Sequence, residues 1–139
     1  FVGVQGVQLS IDDLQRLCMH AHAFVYPSYA EGFGIPPLEA ALAGVPALCA
    51  NATAMADFRF LAPFFFDPAD AADLLRVLER VLADPAQARA DARIAQAAVR
   101  VSYTWDVAAQ RLARLIDAHE SGVRVDAVAP AAAHAGEGD

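Results

Sequence analysis

The sequence contains no lysine. All ten basic residues are arginine, set against 17 Asp and Glu, for a formal net charge of −7. That balance argues against non-specific binding to a phosphate backbone, so no nucleic-acid partner is expected. We read the arginine preference as compositional bias. Cysteine is scarce, and Cys18 and Cys49 lack metal-ligand spacing. Both lie in apolar runs, the pattern of buried free thiols in a reducing cytoplasm. His20 and His22 form a close pair with no third ligand nearby in the sequence. No metal site is expected. Although 57% of the residues are hydrophobic, alanine supplies much of that figure. No stretch is an uncharged apolar run of the about 20 residues that span a bilayer. No basic, apolar leader opens the chain. It begins with Phe1, and Phe1 to Val4 already reads as a strand. A piece of a longer protein is therefore expected, its N-terminus truncated.

What is present reads as one α/β domain over residues 1–120, with a disordered tail over 121–139 rich in Ala, Gly, Pro and acid. Ser10 caps a helix carrying Leu14, Leu17, Cys18 and Ala21 at helical spacing. Ala23 to Pro27 is a short apolar run of the buried parallel-strand kind. Ser28 to Ile35 is a loop. Pro36 and Pro37 suit the first turn of a helix, Gly44 suits its end, and Val45 to Ala50 is the next strand. Ala23 to Ala50 is thus one βαβ unit, which requires a parallel sheet. Asn51 to Leu61 resists assignment. Phe64 to Phe66 reads as a strand. Asp70 caps an amphipathic helix with Leu74, Leu75, Leu78, Val81 and Leu82 on one face and Arg76, Glu79 and Arg80 on the solvated one. Pro85 opens a helix to about Val101. Thr104 caps a last one, with Trp105 expected to anchor it in a core.

The segment Glu31 to Ala40 carries the chemistry. It sets two carboxylates, Glu31 and Glu39, eight residues apart, with a Gly-Phe-Gly turn and a helix start between them. Ligands of open parallel sheets bind beyond the carboxyl ends of the strands, where this loop falls. Gly32 and Gly34 let the backbone turn and approach a ligand. Amides from Phe33 to Leu38, proline excepted, lie near a helix N-terminus that favours phosphate. Carboxylates accept charge-assisted hydrogen bonds from sugar hydroxyls. The combination suits a sugar nucleotide. Glu31 and Glu39 lie on different local elements, so their spacing does not describe a hydrolase pair.

Pro27 to Ala40, followed by Ala43-Gly44-Val45-Pro46, resembles the signature of the group 1 (family 4) retaining glycosyltransferases. Glu31 and Glu39 match the family's paired glutamates in type and spacing. Val2-Gly3 to Asp13-Leu14, Asn51 to Pro68 and Ser102 to Trp105 resemble flanking family segments, so the likeness covers about residues 1–118. The resemblance implies a GT-B fold, two Rossmann-like domains across a cleft. This chain would be the C-terminal donor-binding half, a Rossmann-like parallel sheet flanked by helices. It implies Glu31 as the catalytic residue, holding the transferred sugar's hydroxyls. The amides of Phe33, Gly34 and Ile35, beyond Gly32, would meet sugar or phosphates. Leu38 would give its amide to the diphosphate, and Glu39 would hold the ribose. A nucleotide-diphosphate sugar is the implied substrate, with no cofactor or metal. The acceptor, a glycan or lipid-linked glycan, would bind mainly to an N-terminal domain absent here. The implied place is the cytoplasm, with peripheral contact at the inner membrane face.

The family's diphosphate-binding Arg and Lys fall upstream of this chain, so the fragment alone is expected to be inactive. Asp57, Ala56, Phe60 and Leu61 stand where the family usually has Glu, Pro, Gly and Asp. The apolar pair would either repack a loop or present a surface. That departure is the one feature favouring a non-catalytic, degenerate module; Glu31 and Glu39 speak against it. A GT-B-fold sugar-nucleotide epimerase or a phosphorylase would share the fold without the Glu-Gly-Phe-Gly block.

Overall fold

The computed structural model describes residues 10–121. The expected strand at Phe1–Val4, the Val2-Gly3 lead-in and the tail beyond Ser121 lie outside the described residues. Helix α1 (Ile11–His20) starts where Ser10 Oγ accepts the Asp13 amide at 3.1 Å. Strand β1 (Phe24–Tyr26), helix α2 (Ile35–Leu42) and strand β2 (Ala47–Ala50) follow. Strand β3 (Phe65–Phe66) completes a parallel sheet in the order β1-β2-β3. Phe24, Val25 and Tyr26 pair with Ala47, Leu48 and Cys49, and Cys49 and Ala50 pair with Phe65 and Phe66. The βαβ unit expected over Ala23 to Ala50 is present.

Strand β2 is central and buried throughout, which explains its unbroken apolar sequence. Helix α2 packs on β1, β2 and helix α4 (Pro85–Ser102). Ala88, Ala92, Ala95 and Val99 line the buried stripe of α4; three small residues permit close approach. Gly44 turns the chain out of α2 at φ 74°. There Gln96 of α4 donates to the Leu42 carbonyl at 2.7 Å, satisfying an orphan group of the helix end. Helix α3 (Ala71–Ala83) is capped by Asp70, whose carboxylate accepts the Ala72 amide at 2.9 Å. Asp73 on its first turn accepts the Asp67 amide and pairs with Arg76.

Several sequence expectations need correction. In α3 the buried stripe is Val77 and Val81, flanked by half-buried Leu74 and Leu78. Leu75 and Leu82 are exposed, because each stands one residue, about 100° of helix, off that stripe. In α1, Leu14 and Leu17 are exposed, and Cys18 is only half-buried. Cys49 is fully buried, as expected, and burial pushes its thiol up to about 12. Trp105 does not anchor a core. It opens helix α5 (Trp105–Glu120) at 91% exposure, and α5 has no buried residue. Phe64 ends a 3₁₀ helix instead of starting a strand.

The unassigned stretch is two short 3₁₀ helices, Thr53–Asp57 and Arg59–Phe64. They have no 3.6-residue periodicity, which is why no pattern announced them. Met55, Phe58, Leu61 and Phe64 of these turns are buried in the main core. Leu61 is fully buried and Phe60 half-buried, so the apolar pair repacks the segment.

Candidate functional site

The loop between β1 and α2 leaves the carboxyl end of β1 and ends at Gly34, the N-cap of α2. Gly34 sits in the left-handed region at φ 92° and is buried. A Cβ there would lie 2.8 Å from Met55 Cγ. Its need for glycine is therefore internal: the backbone conformation and the close approach of Met55 both require it. Gly32 differs. It is exposed, and a Cβ there would meet nothing within 4 Å. The open approach expected of both glycines belongs to Gly32 alone.

The start of α2 is short of partners. No side chain caps it, and Pro36 and Pro37 have no N–H to offer. The other four α-helices each open with a bond from the fourth amide to the cap carbonyl, such as Leu14 to Ser10 at 3.0 Å. No such bond of ordinary geometry joins Leu38 to Gly34. The left-handed cap turns the chain at that point, leaving the Leu38 and Ile35 amides at the dipole's positive end.

Glu31 is held from three directions. The Tyr26 hydroxyl and Ser28 Oγ each donate to its Oε1 at 2.7 Å. Its own amide donates to Thr53 Oγ1 at 3.0 Å. These bonds, the Tyr26 one first, hold the carboxyl below the usual carboxylate range, and the carboxylate in turn raises the Tyr26 phenol. Thr53 follows the carboxyl end of β2, so its bond to Glu31 joins the ends of two neighbouring parallel strands. Thr53 has φ 48°, the sole non-glycine in the left-handed region among the described residues. A β-branched residue in that conformation costs about 1–2 kcal/mol.

Glu39 follows Leu38 directly and lies on the exposed side of α2, and its charge raises the thiol of Cys18 after burial does. Phe33 stands half-open beside Phe58 and Tyr103, with ring centroids 5.8 and 6.0 Å away. Phe60 closes the cluster against Phe58 and Tyr103. The cluster fastens the glycine loop to the 3₁₀ segment and the end of α4.

The seven residues expected from the sequence, Glu31 to Ile35 with Leu38 and Glu39, all fall on this loop or the first turns of α2. Sequence reasoning missed Tyr26, Ser28 and Thr53. Ser28, three residues before Glu31, carried a local signal; Thr53, 22 residues beyond, carried none. His20 is engaged with the Arg16 carbonyl, and no cluster of three or more metal-ligating side chains forms among the described residues. No helix among them is long and apolar enough to cross a membrane.

Comparison with known proteins agrees with this geometry. The family described as "Glycosyl transferases group 1" matches residues 5–100. The serotype-specific mannosyltransferase WbdA of Escherichia coli is 41% identical over 78 residues, 56% of this chain and 10% of that protein. The O-antigen chain mannosyltransferase B of Escherichia coli is 46% identical over 59 residues, 42% of this chain and 16% of that protein. A glycogen synthase of Mycobacterium tuberculosis is 32% identical over 126 residues, 89% of this chain and 30% of that protein. The chain thus spans a tenth to a third of the length of these relatives. No solved structure matches significantly. With its parallel sheet, its flanking helices and a family match over most of its length, the chain belongs to the group 1 glycosyltransferases.

Proposed function

We propose that this chain is the donor-binding domain of a retaining glycosyltransferase that uses a nucleotide-diphosphate sugar of the GDP-mannose or UDP-sugar type. One observation carries the reading: two glutamates flank a helix start whose amides lack ordinary partners, at the carboxyl end of a parallel strand. The Ile35 and Leu38 amides, with those of Phe33 and Gly34, take the diphosphate and the sugar edge. Gly32 leaves the approach open. Glu31 accepts hydroxyls of the transferred sugar, and Glu39 accepts the vicinal hydroxyls of the ribose. The α2 dipole and these amides stabilise the charge that grows on the departing diphosphate, with no metal required. Two of the relatives are named mannosyltransferases, which supports a mannosyl donor.

Transfer belongs to the whole protein. In our reading a second domain holds a glycan or lipid-linked acceptor, in the cytoplasm and against the inner face of the membrane. This chain alone binds donor without transferring it. The burial of Leu61 and the half-burial of Phe60 support reading that apolar pair as repacking of the segment, which weighs against the alternative of a non-catalytic module. The test is a transfer and donor-hydrolysis assay on the full-length protein. Glu39→Ala is expected to lower kcat/KM by about 10- to 100-fold, the loss of one or two charge-assisted hydrogen bonds. Equal rates in wild type and variant would overturn the assignment.

A further inference from the structure

Three hydroxyls from three separate places converge on Glu31. Tyr26 is the last residue of β1, Ser28 stands in the loop, and Thr53 opens the 3₁₀ helix after β2. The first two donate to one oxygen of the carboxylate, Oε1, each at 2.7 Å. Among the described residues, nothing bonds Oε2. Thr53 fixes the other end of the residue by accepting its amide at 3.0 Å. Thr53 does so from a left-handed backbone at φ 48°, a conformation that threonine avoids. Strain of that kind persists where surrounding contacts over-determine it, and it gathers at ligand clamps. Packing does not explain it, since Thr53 is exposed.

We propose that Tyr26, Ser28 and Thr53 are positioning residues that lock Glu31 in one orientation and present Oε2 to the transferred sugar. The inference rests on the reading of Glu31 as the sugar contact. A carboxylate on a loop would otherwise rotate about its side-chain bonds and lose that entropy on binding each donor. Here the ordering is done before the donor arrives. Two hydroxyl donors on Oε1 saturate one oxygen and leave acceptor capacity on the other. The clamp therefore acts on the sugar half of the donor and not on its nucleotide half.

That division makes the test. Titration calorimetry on the full-length protein compares GDP-mannose with GDP, and UDP-glucose with UDP. Tyr26→Phe, Ser28→Ala and Thr53→Val each weaken binding of the preferred nucleotide sugar by about five- to tenfold, one hydrogen bond's worth. Binding of the matching free diphosphate stays unchanged. Thr53→Ser keeps the hydroxyl and restores wild-type affinity. In a Glu31→Gln background the clamp substitutions add little. Clamp variants that bind nucleotide sugar like wild type, while Glu31→Gln is impaired, would overturn the clamp alone. Equal losses for sugar and free diphosphate would reduce it to a folding role. A wild type without nucleotide-sugar affinity, or Glu31→Gln equal to wild type, would overturn the donor-site reading and the clamp with it.

Discussion

Gly32 and Gly34 stand two residues apart in one loop, yet a methyl group would meet opposite surroundings at each. At Gly34 it would press on buried Met55 from a left-handed backbone; at Gly32 it would enter open space. Gly34→Ala is expected to destabilise the chain by about 2–4 kcal/mol, the sum of the backbone penalty and local overpacking. Gly32→Ala should change stability by less than about 0.5 kcal/mol. Chemical denaturation of the two variants checks the pair. A loop whose glycines served only flexibility would give similar values. Glu31 offers a second test at this scale. Its hydrogen bonds depress its carboxyl, so the stability they give is present above the ordinary carboxylate range. It is lost as pH falls through the depressed value. Carboxyl-resolved NMR should find the Glu31 midpoint below the usual range, and Tyr26→Phe or Ser28→Ala should raise it. The paired glutamates and the turn between them were legible in the sequence because one short segment holds them all. The hydroxyls around Glu31 were only partly so, since the Thr53 contact comes from the end of a different strand.

Elements divide by how much of their sequence signal tertiary packing kept. Strand β2 and helix α2 read correctly, because a fully buried strand and a proline-opened, glycine-ended helix are local patterns. The two 3₁₀ helices did not, because Met55, Phe58, Leu61 and Phe64, the residues buried along them and at their junction, recur every three residues, a 3₁₀ period that neither the 3.6-residue helix pattern nor the two-residue strand pattern detects. The apolar stripe of α3 was read with the exposed Leu75 and Leu82 on it and without Val77, which is buried. The same logic misplaced Trp105: a large aromatic at a helix start suggested a core, and α5 has no fully buried residue. A matched pair of substitutions separates the cases. Phe58→Ala empties a site in the centre of the core and the aromatic cluster, and should cost about 3–5 kcal/mol. Trp105→Ala should leave the stability of this chain within about 0.5 kcal/mol. Thermal melts of both variants decide it. A large loss at Trp105 would mean that α5 is packed in solution.

For the molecule as a whole, three short parallel strands bring two loops to one edge, and the function proposed here lives at that edge. The sheet does no chemistry itself. It fixes where β1 and β2 end, and so where Glu31 and Thr53 meet. The class of the fold was legible because a strand, a helix and a strand follow within 28 residues, the span of a compact parallel crossover. The proposed donor site runs from Gly32 to Glu39. The most direct measurement is an amide-resolved NMR titration of this chain with GDP-mannose and with UDP-glucose. With one of the two donors, shifts are expected to concentrate on Gly32 through Glu39 and to vanish in Glu39→Ala. Shifts centred elsewhere, or none at millimolar concentrations of either donor, would contradict that assignment.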